Sequence, residues 1–471
     1  MDGSTAEFLI IGGGVAGLSA AAALAPNGRT VVLEAEAATG THSSGRSVTF
    51  SHYGIGGATV RGMTAWSRAF FLDPPDGFDA LCRVTPALFV ATPEMRDELG
   101  RLEAITRGLT DQVERLDDAG MAALCPVLRF GPDAITDGFV HHEGLRLDPH
   151  AMLTGYARQV RRHGGSVVTG ARVAAIARTG TDWQVTTGTG ERCSAPVLIN
   201  AAGAWADGLA ALAGVAPLGL SPLRRTVIAF DPSPGQDVRA WPFVKTATDH
   251  VYFLPDGGRL LASPVDEHPD QPGDAQPEEI DMAIAADRVM AITRLDVRRI
   301  THKWAGLRTF TADRVPVAGW ATDAPGFFWL AGQGGYGLQT APAMAQISAA
   351  LITGTAWPEG LTEAGAPPAA ITPNASLPPA SDRAGALRAG LRPGRLTPAE
   401  DLLKARAQSG RVLPDCRPRQ LVGRMPLNLQ PRRGKTSGLH RSAFSGRASA
   451  GAPHSPSRTD DAAPGHMPLG H

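Results

Sequence analysis

Phe8-Leu9-Ile10-Ile11 runs straight into a glycine cluster, and a small-residue stretch then leads to Val31-Val32-Leu33 closed by Glu34. Short apolar runs without alternation predict strands buried on both faces. Between them Ser19 to Leu24 predicts a helix, Asn27-Gly28 a turn and Thr30 to Glu34 the second strand. Val60 to Phe71 carries helical spacing that stops at Asp73-Pro74-Pro75, and Pro93 to Leu124 holds further helical segments bounded by Gly100, Gly108 and Gly120. Asp148-Pro149 opens another helix through Arg162, closed by Gly164-Gly165. Ser166 to Ala177 alternates as one strand, Trp183 to Thr187 with Arg192 to Ser194 predicts a hairpin, and Val197 to Trp205 reads as a buried strand entering a small-residue turn.

From about Pro217 to His302 the pattern changes. Arg225 to Phe230 alternates, Val251 to Leu254 and Arg259 to Ser263 flank Asp256-Gly257-Gly258, and Ile280 to Arg294 is an amphipathic helix, so this part predicts an antiparallel sheet. Apolar, glycine-rich character returns at Trp304 to Gly319 and Phe327 to Gly337, followed by a helix over about Ala341 to Thr353. The expected fold is therefore α/β with an α+β substrate part. A discontinuous Rossmann-like domain of residues 1–50, 150–216 and 303–360 would carry the dinucleotide, and a mixed or antiparallel-sheet substrate domain would use 51–149 and 217–302. Residues 361–471 are expected to be a disordered tail, since beyond Trp357 the only aromatic residue is Phe444 and no period is left. A frame error in a GC-rich gene would also yield its Arg/Pro/Ala/Gly/Ser composition, while a basic nucleic-acid arm is disfavoured because its arginines are interspersed.

Composition changes this picture little. Lys+Arg and Asp+Glu are both 45, so net charge makes no case for nucleic acid or an acidic membrane. No run approaches the roughly 18 apolar residues of a membrane span. Asp2 and Glu7 stand where an export signal needs positive charge, so a cytoplasmic location is expected. The four cysteines, Cys82, Cys125, Cys193 and Cys416, lie far apart and suggest neither a metal site nor a disulfide framework.

The chemistry starts at Gly12-x-Gly14-x-x-Gly17, which follows a strand and opens a helix around Val15 and Ala16. The first glycine permits the tight turn, the second lets a pyrophosphate approach the backbone, and the third lets helix and strand pack closely. Glu34 stands where a carboxylate meets a ribose hydroxyl. This unit alone leaves NAD and FAD equally open. The stretch Thr39 to Tyr53 is dense in hydroxyls and glycine, and it either offers backbone N–H groups, hydroxyls and Arg46 to a phosphate or is a solvated polar loop.

Four pieces together carry a resemblance. They are the glycine motif with Glu34; Ser44-Gly45-Arg46-Ser47; Asn200-Ala201-Ala202-Gly203-Ala204-Trp205; and Trp304-Ala305-Gly306-Leu307-Arg308 with Asp313 and Pro316, followed by Gly332-Gln333-Gly334-Gly335-Tyr336-Gly337-Leu338-Gln339. Over about Ala6 to Thr353 the chain resembles the FAD-dependent D-amino-acid oxidase superfamily, including its glycine oxidase, sarcosine oxidase and D-arginine dehydrogenase-like members. The resemblance implies noncovalent FAD, with pyrophosphate over Gly12 to Gly17, ribose on Glu34, adenine at Val173 and the flavin beside Gly332 to Gly337. It also implies hydride transfer from the α-carbon of a D-amino acid or similar small amino acid to flavin N5, giving an imino and then an oxo acid, with oxygen or another acceptor taking the electrons. Arg308 would grip the carboxylate, with Tyr252, Gln339, Tyr336 and Arg225 as further candidates around it.

The chain departs from the D-arginine dehydrogenase-like pattern at Phe50 and Ile55, where a histidine and a tyrosine would be expected, and at Ala87, where an acid would be. His52 and Tyr53 stand close by in sequence. A 2-hydroxy-acid dehydrogenase is the alternative enzyme, with His52 as its base, and an FAD-binding protein with little turnover is the alternative outside catalysis.

Overall fold

The computed structural model describes residues 4–373; the expectations for the rest of the tail, and Cys416, lie outside the described residues. The glycine motif sits where the sequence places it. Strand Phe8–Ile11 leads into helix Val15–Leu24, which returns the chain to strand Thr30–Leu33. These strands are central in a six-stranded sheet whose order is Ser166–Val168, Thr30–Leu33, Phe8–Ile11, Val197–Asn200, Phe327–Ala331, Val317–Trp320. Every pairing is parallel except the last. Helices Val15–Leu24, Pro149–Arg162 and Gly337–Thr353 contribute to one apolar cluster on the sheet, in which Ile10, Leu18, Met152, Phe328 and Ile347 are fully enclosed. The small residues of the first helix allow its close approach: a Cβ on Gly17 would stand 2.0 Å from the Gly12 carbonyl oxygen.

The second large sheet has nine strands and is almost wholly antiparallel. It joins Ser221–Phe230, Arg259–Ser263, Tyr252–Asp256 and Phe243–Thr246 to Ala87–Ala91, Asp137–His141 and Val113–Leu116. Strand Ile300–Phe310 pairs with Ser221–Phe230, which places Arg308 opposite Leu223 and Gly306 opposite Arg225. Helix Glu279–Ile292 covers one face through Met282, Ala285, Val289 and Ile292.

Several elements differ from expectation, each for a visible reason. The span Ser166 to Ala177 is two strands in two sheets, Ser166–Val168 and Val173–Thr179, because Gly170 takes a left-handed turn (φ +67°) between them. The region 51–149, whose pattern predicted helices, also supplies buried strands; Ala87–Ala91 is enclosed along its whole length and so shows no alternation to read. Residues 300–310 belong by pairing to the antiparallel sheet, although the strand was expected in the nucleotide part. The C-terminal helix begins at Gly337 rather than Ala341. The fold also continues past residue 360, where Leu361, Ala366 and Ile371 are buried and a Cβ on Gly62 would strike the Ala364 carbonyl at 1.8 Å. Among the described residues no helix is long and apolar enough to cross a membrane.

Candidate functional site

A cleft with about 1600 Å³ of empty space, part of it open to solvent, runs along the carboxyl ends of the central strands. That is where doubly wound sheets bind ligands. Gly12, Gly14, Val15 and Ala16 line it. Gly12 has φ +114°, and a Cβ there would stand 2.3 Å from the Ala201 carbonyl oxygen, so both conformation and space demand glycine. Gly17 is not on the wall; it serves the helix–strand approach. The Glu34 carboxylate lines the cleft while accepting hydrogen bonds from the N–H groups of Gly13 (2.7 Å) and Glu36 (2.8 Å). Val173 reaches the same end, carried there by the break at Gly170.

The hydroxyl-rich loop lies across the start of the first helix. Ser44 Oγ accepts from the Val15 N–H at 3.0 Å, and Ser43 Oγ donates to the Leu307 carbonyl at 2.6 Å. Ser44, Arg46 and Ser47 line the cleft, whereas Gly45 does not; its Cβ would meet the Gly40 carbonyl at 2.5 Å. The Arg46 guanidinium is already engaged. It donates to the carbonyls of Ala275 (3.2 Å) and Ala305 (3.1 Å) and pairs with Asp274, so it staples the loop to the second sheet instead of standing free for a phosphate. Thr41 and His42 also line the wall, and the His42 ring packs tilted against Trp205 with centroids 4.7 Å apart. Their only signal in the sequence was membership of that polar loop. Ala202, Gly203 (φ +57°) and Trp205 complete this side. The Asn200 side chain shapes their turn by donating to the Ala206 carbonyl at 2.8 Å.

At the other end Gly334, Gly335, Gly337 and Leu338 line the cleft together with Gln333, whose buried Nε2 has no hydrogen-bond partner. Helix Gly337–Thr353 opens here with no side-chain cap, so its first N–H groups and positive dipole end face the cleft. Three expected residues are not on the wall. Gly332 (φ +73°) packs against Thr311, Tyr336 is buried and donates to the Arg314 carbonyl, and Gln339 is buried with Nε2 donating to Thr64 Oγ1 at 2.7 Å. All three hold the turn and the helix rather than presenting groups to the cleft.

Arg308 lines the cleft beside them. No salt bridge or hydrogen bond engages its guanidinium among the described residues, and burial, reinforced by nearby Arg225, lowers its pKa to about 10. Arg225 itself is buried off the wall, donating to the Asp266 carbonyl at 2.6 Å and paired with Glu267 at 3.0 Å. Tyr252 is also buried and off the wall, and its hydroxyl has no hydrogen-bond partner among the described residues. His52 is enclosed by Phe89 (5.4 Å) and Phe243 (5.3 Å), and its Nδ1 accepts from the Gly54 N–H at 2.9 Å. Burial, then Lys245 and His141, hold its pKa well below that of free histidine. It is off the cleft wall and poorly basic. Ala87 is buried in its strand opposite Phe243 and His141. Among the described residues no group of three or more potential metal ligands gathers, and none of Cys82, Cys125 and Cys193 lines the cleft.

Residues 7–351 match the family model described as DAO, FAD dependent oxidoreductase. Dithionite-reduced L-α-glycerophosphate oxidase from Mycoplasma pneumoniae with FAD bound superimposes with a TM-score of 0.66 at 21% identity, covering 74% of this chain and 95% of that one. Glycine oxidase from Geobacillus kaustophilus gives 0.65 at 20% identity, covering 75% and 96%. Iminodiacetate oxidase from Chelativorans sp. BNC1 gives 0.62 at 21% identity, covering 74% and 96%. Glycerol-3-phosphate dehydrogenase 1 of Mycobacterium tuberculosis is 25% identical over 337 residues, which are 65% of this chain and 63% of that protein. The chain thus spans less than two thirds of the length of that curated relative.

Proposed function

The chain belongs to the DAO family of FAD-dependent oxidoreductases, and on that premise we propose that it oxidises a small α-amino acid, in the first instance a D-amino acid, held by its carboxylate at Arg308. The cofactor is FAD, and the cleft fits it. Gly12 leaves no room for a side chain where a pyrophosphate approaches, Glu34 lines the ribose end, and the uncapped helix start at Gly337 and the unpartnered Gln333 amide face the far end. When bound, FAD supplies the acceptor for the hydride leaving the substrate's α-carbon.

The unengaged Arg308 guanidinium on the cleft wall carries the proposal. A guanidinium can grip a carboxylate bidentately and fix the orientation of the α-carbon, and in a desolvated site such pairing is strong. Glu267 neutralises Arg225, which leaves Arg308 as the charge available to an incoming carboxylate. The buried Tyr252 hydroxyl, without a partner among the described residues, is the second donor we assign to the carboxylate. The uncapped helix start favours negative charge at the adjoining end of the cleft by about 0.3 to 1 kcal/mol. An amino acid is favoured over a 2-hydroxy acid because His52, the base expected for a hydroxyl proton, is buried, weakly basic and off the wall. The imino product would hydrolyse in water to the oxo acid, and oxygen or another acceptor would take the electrons.

Anaerobic reduction of the bound flavin by a panel of D-amino, L-amino, N-methyl amino and 2-hydroxy acids tests this. Bleaching by an amino acid, abolished in Arg308→Ala while the yellow colour stays, is the expected result. Reduction by 2-hydroxy acids alone, or full activity in Arg308→Ala, would overturn it.

A further inference from the structure

If Arg308 grips a carboxylate, as read above, its grip is only as firm as the strand that carries it, and that strand is an edge. Among the described residues Ile300–Phe310 pairs with Ser221–Phe230 alone. An edge strand presents a row of carbonyl and N–H groups that need partners. Three of its carbonyls, at the alternate positions 305, 307 and 309, find them outside the sheet. Ala305 accepts from Arg46 Nη1 at 3.1 Å, Leu307 from Ser43 Oγ at 2.6 Å and Thr309 from the Gly334 N–H at 2.9 Å. Leu307 and Thr309 flank Arg308 directly.

The polar loop meets the strand at two more points. Trp304 Nε1 donates to the Arg46 carbonyl at 2.9 Å, and a Cβ on Gly306 would lie 3.3 Å from Arg46 Cβ. The Arg46 guanidinium also donates to the Ala275 carbonyl at 3.2 Å and pairs with Asp274, so one side chain ties the strand to the segment ahead of helix Glu279–Ile292. The other side of the loop rests on the dinucleotide unit. Ser44 Oγ accepts from the Val15 N–H at 3.0 Å, and the Gly40 N–H donates to the Gly13 carbonyl at 3.1 Å.

We infer that Arg46 and Ser43 are positioning residues: by taking the place of a neighbouring strand they hold Arg308 in a fixed place relative to the dinucleotide helix, and carboxylate affinity depends on them through Arg308. Charge alone does not meet this need. Arg46 serves two carbonyls and a carboxylate at once, and the single ammonium of a lysine lacks the fixed fork of donors that does so. A phosphate ligand, by contrast, would act mainly through its charge.

Acetate and benzoate serve as carboxylate probes, read by the perturbation of flavin absorbance in FAD-saturated protein. Arg46→Ala and Arg46→Lys should both raise the probe Kd roughly tenfold, the scale expected when a gripping group is displaced by a fraction of an ångström. Ser43→Ala should raise it about severalfold, the worth of one hydrogen bond. In an Arg308→Lys background the same substitutions should add little, because changes that act through one group are not additive with the loss of its paired grip. Arg46→Lys matching the wild type, or Arg46→Ala weakening FAD binding alone, would assign Arg46 to a phosphate and overturn the positioning role, as would undiminished effects in the Arg308→Lys background. If Arg46→Ala does not fold, Ser43→Ala, which removes one hydroxyl, carries the same test, and an unmoved probe Kd in it would overturn the inference. Equal probe affinity in the wild type and Arg308→Ala would sink the carboxylate reading and this inference together.

Discussion

The two ends of the cleft are built on different principles. At the nucleotide end the wall is largely backbone: Gly12, Gly14, Gly203 and the first turn of a helix, with Glu34 tied to neighbouring N–H groups. At the end where we place the substrate, side chains make the wall, and they come from separate elements, with Arg308 on a strand of the nine-stranded sheet and Gln333 on the turn before helix Gly337–Thr353. A backbone wall depends on conformations that few residues other than glycine adopt. A side-chain wall depends on strand register and on which charges have been neutralised next door.

If the nucleotide end is a backbone site, its largest vulnerability is added volume. Gly12→Ala forces a Cβ to 2.3 Å from a carbonyl oxygen at φ +114°, so purified protein should contain almost no flavin by absorbance stoichiometry. Gly203→Ala is the control. It has a positive φ of +57° but nothing within 4 Å of a new Cβ, so it should retain FAD and lose only about 1 to 2 kcal/mol of stability. Equal flavin content in the two variants would break the distinction between space and conformation.

At the substrate end the corresponding variant keeps charge and changes shape. Arg308→Lys should hold FAD yet lower the second-order rate of flavin reduction by about two to three orders of magnitude, since an ammonium cannot form the paired hydrogen bonds of a guanidinium. The Arg308 pKa adds a pH signature. Burial lowers it to about 10, so affinity for a carboxylate should hold below that pH and fall as pH rises through it. A flat Kd from pH 8 to 11 would argue that another group binds the anion.

How much of this was legible in the sequence follows the same division. A place on the cleft wall could be read for Gly12, Gly14, Glu34, the Ala202-to-Trp205 turn, Gly334, Gly335, Gly337 and Leu338, because spacing along one segment fixes their geometry. Gln339 and Tyr336 were read from the same turn but point into the protein, because each residue along a helix turns the face presented by about 100°. Arg46 and Arg225 illustrate a second limit. Each was a candidate ligand group in the sequence, and each is engaged by an acid more than 40 positions away, Asp274 and Glu267 respectively, which no local pattern reports. Strands such as Ala87–Ala91 were missed because full burial removes the alternation that identifies a strand.

The nine-stranded sheet also bears a cost that the nucleotide end does not. His141 is buried with both ring nitrogens unpartnered, stacked at 5.1 Å on Tyr53, and burial followed by the charges of Arg68 and His142 lowers its pKa to about 4. Its folded pKa lies below the unfolded value of about 6.5, so the unfolded state takes up more protons between the two. The stability held above pH 6.5 should fall by about 3 kcal/mol as pH drops to 4, then level off. His141→Phe, which keeps a ring beside Tyr53, should flatten this limb in thermal melts taken from pH 7 to 4. An unchanged acid limb would show that the loss comes from other groups.

The smallest expected effect lies at the nucleotide end and tests whether Glu34 is a ligand group or a brace. Its carboxylate accepts from Gly13 at 2.7 Å and Glu36 at 2.8 Å, so it already fixes the turn while facing the cleft. Glu34→Gln keeps the shape and part of the accepting capacity but loses the charge. A group that only braces the turn should cost stability in the apoprotein and the FAD-bound protein alike. A group that also meets the ribose should weaken FAD binding by a further ~1 kcal/mol, roughly fivefold in Kd, the difference between a hydrogen bond to a charged acceptor and one to a neutral amide. Flavin titration of the apoprotein, set beside its melting temperature, separates the two contributions. Substrate affinity at Arg308 should be unmoved in either case, since the two ends share one cleft but no side chain.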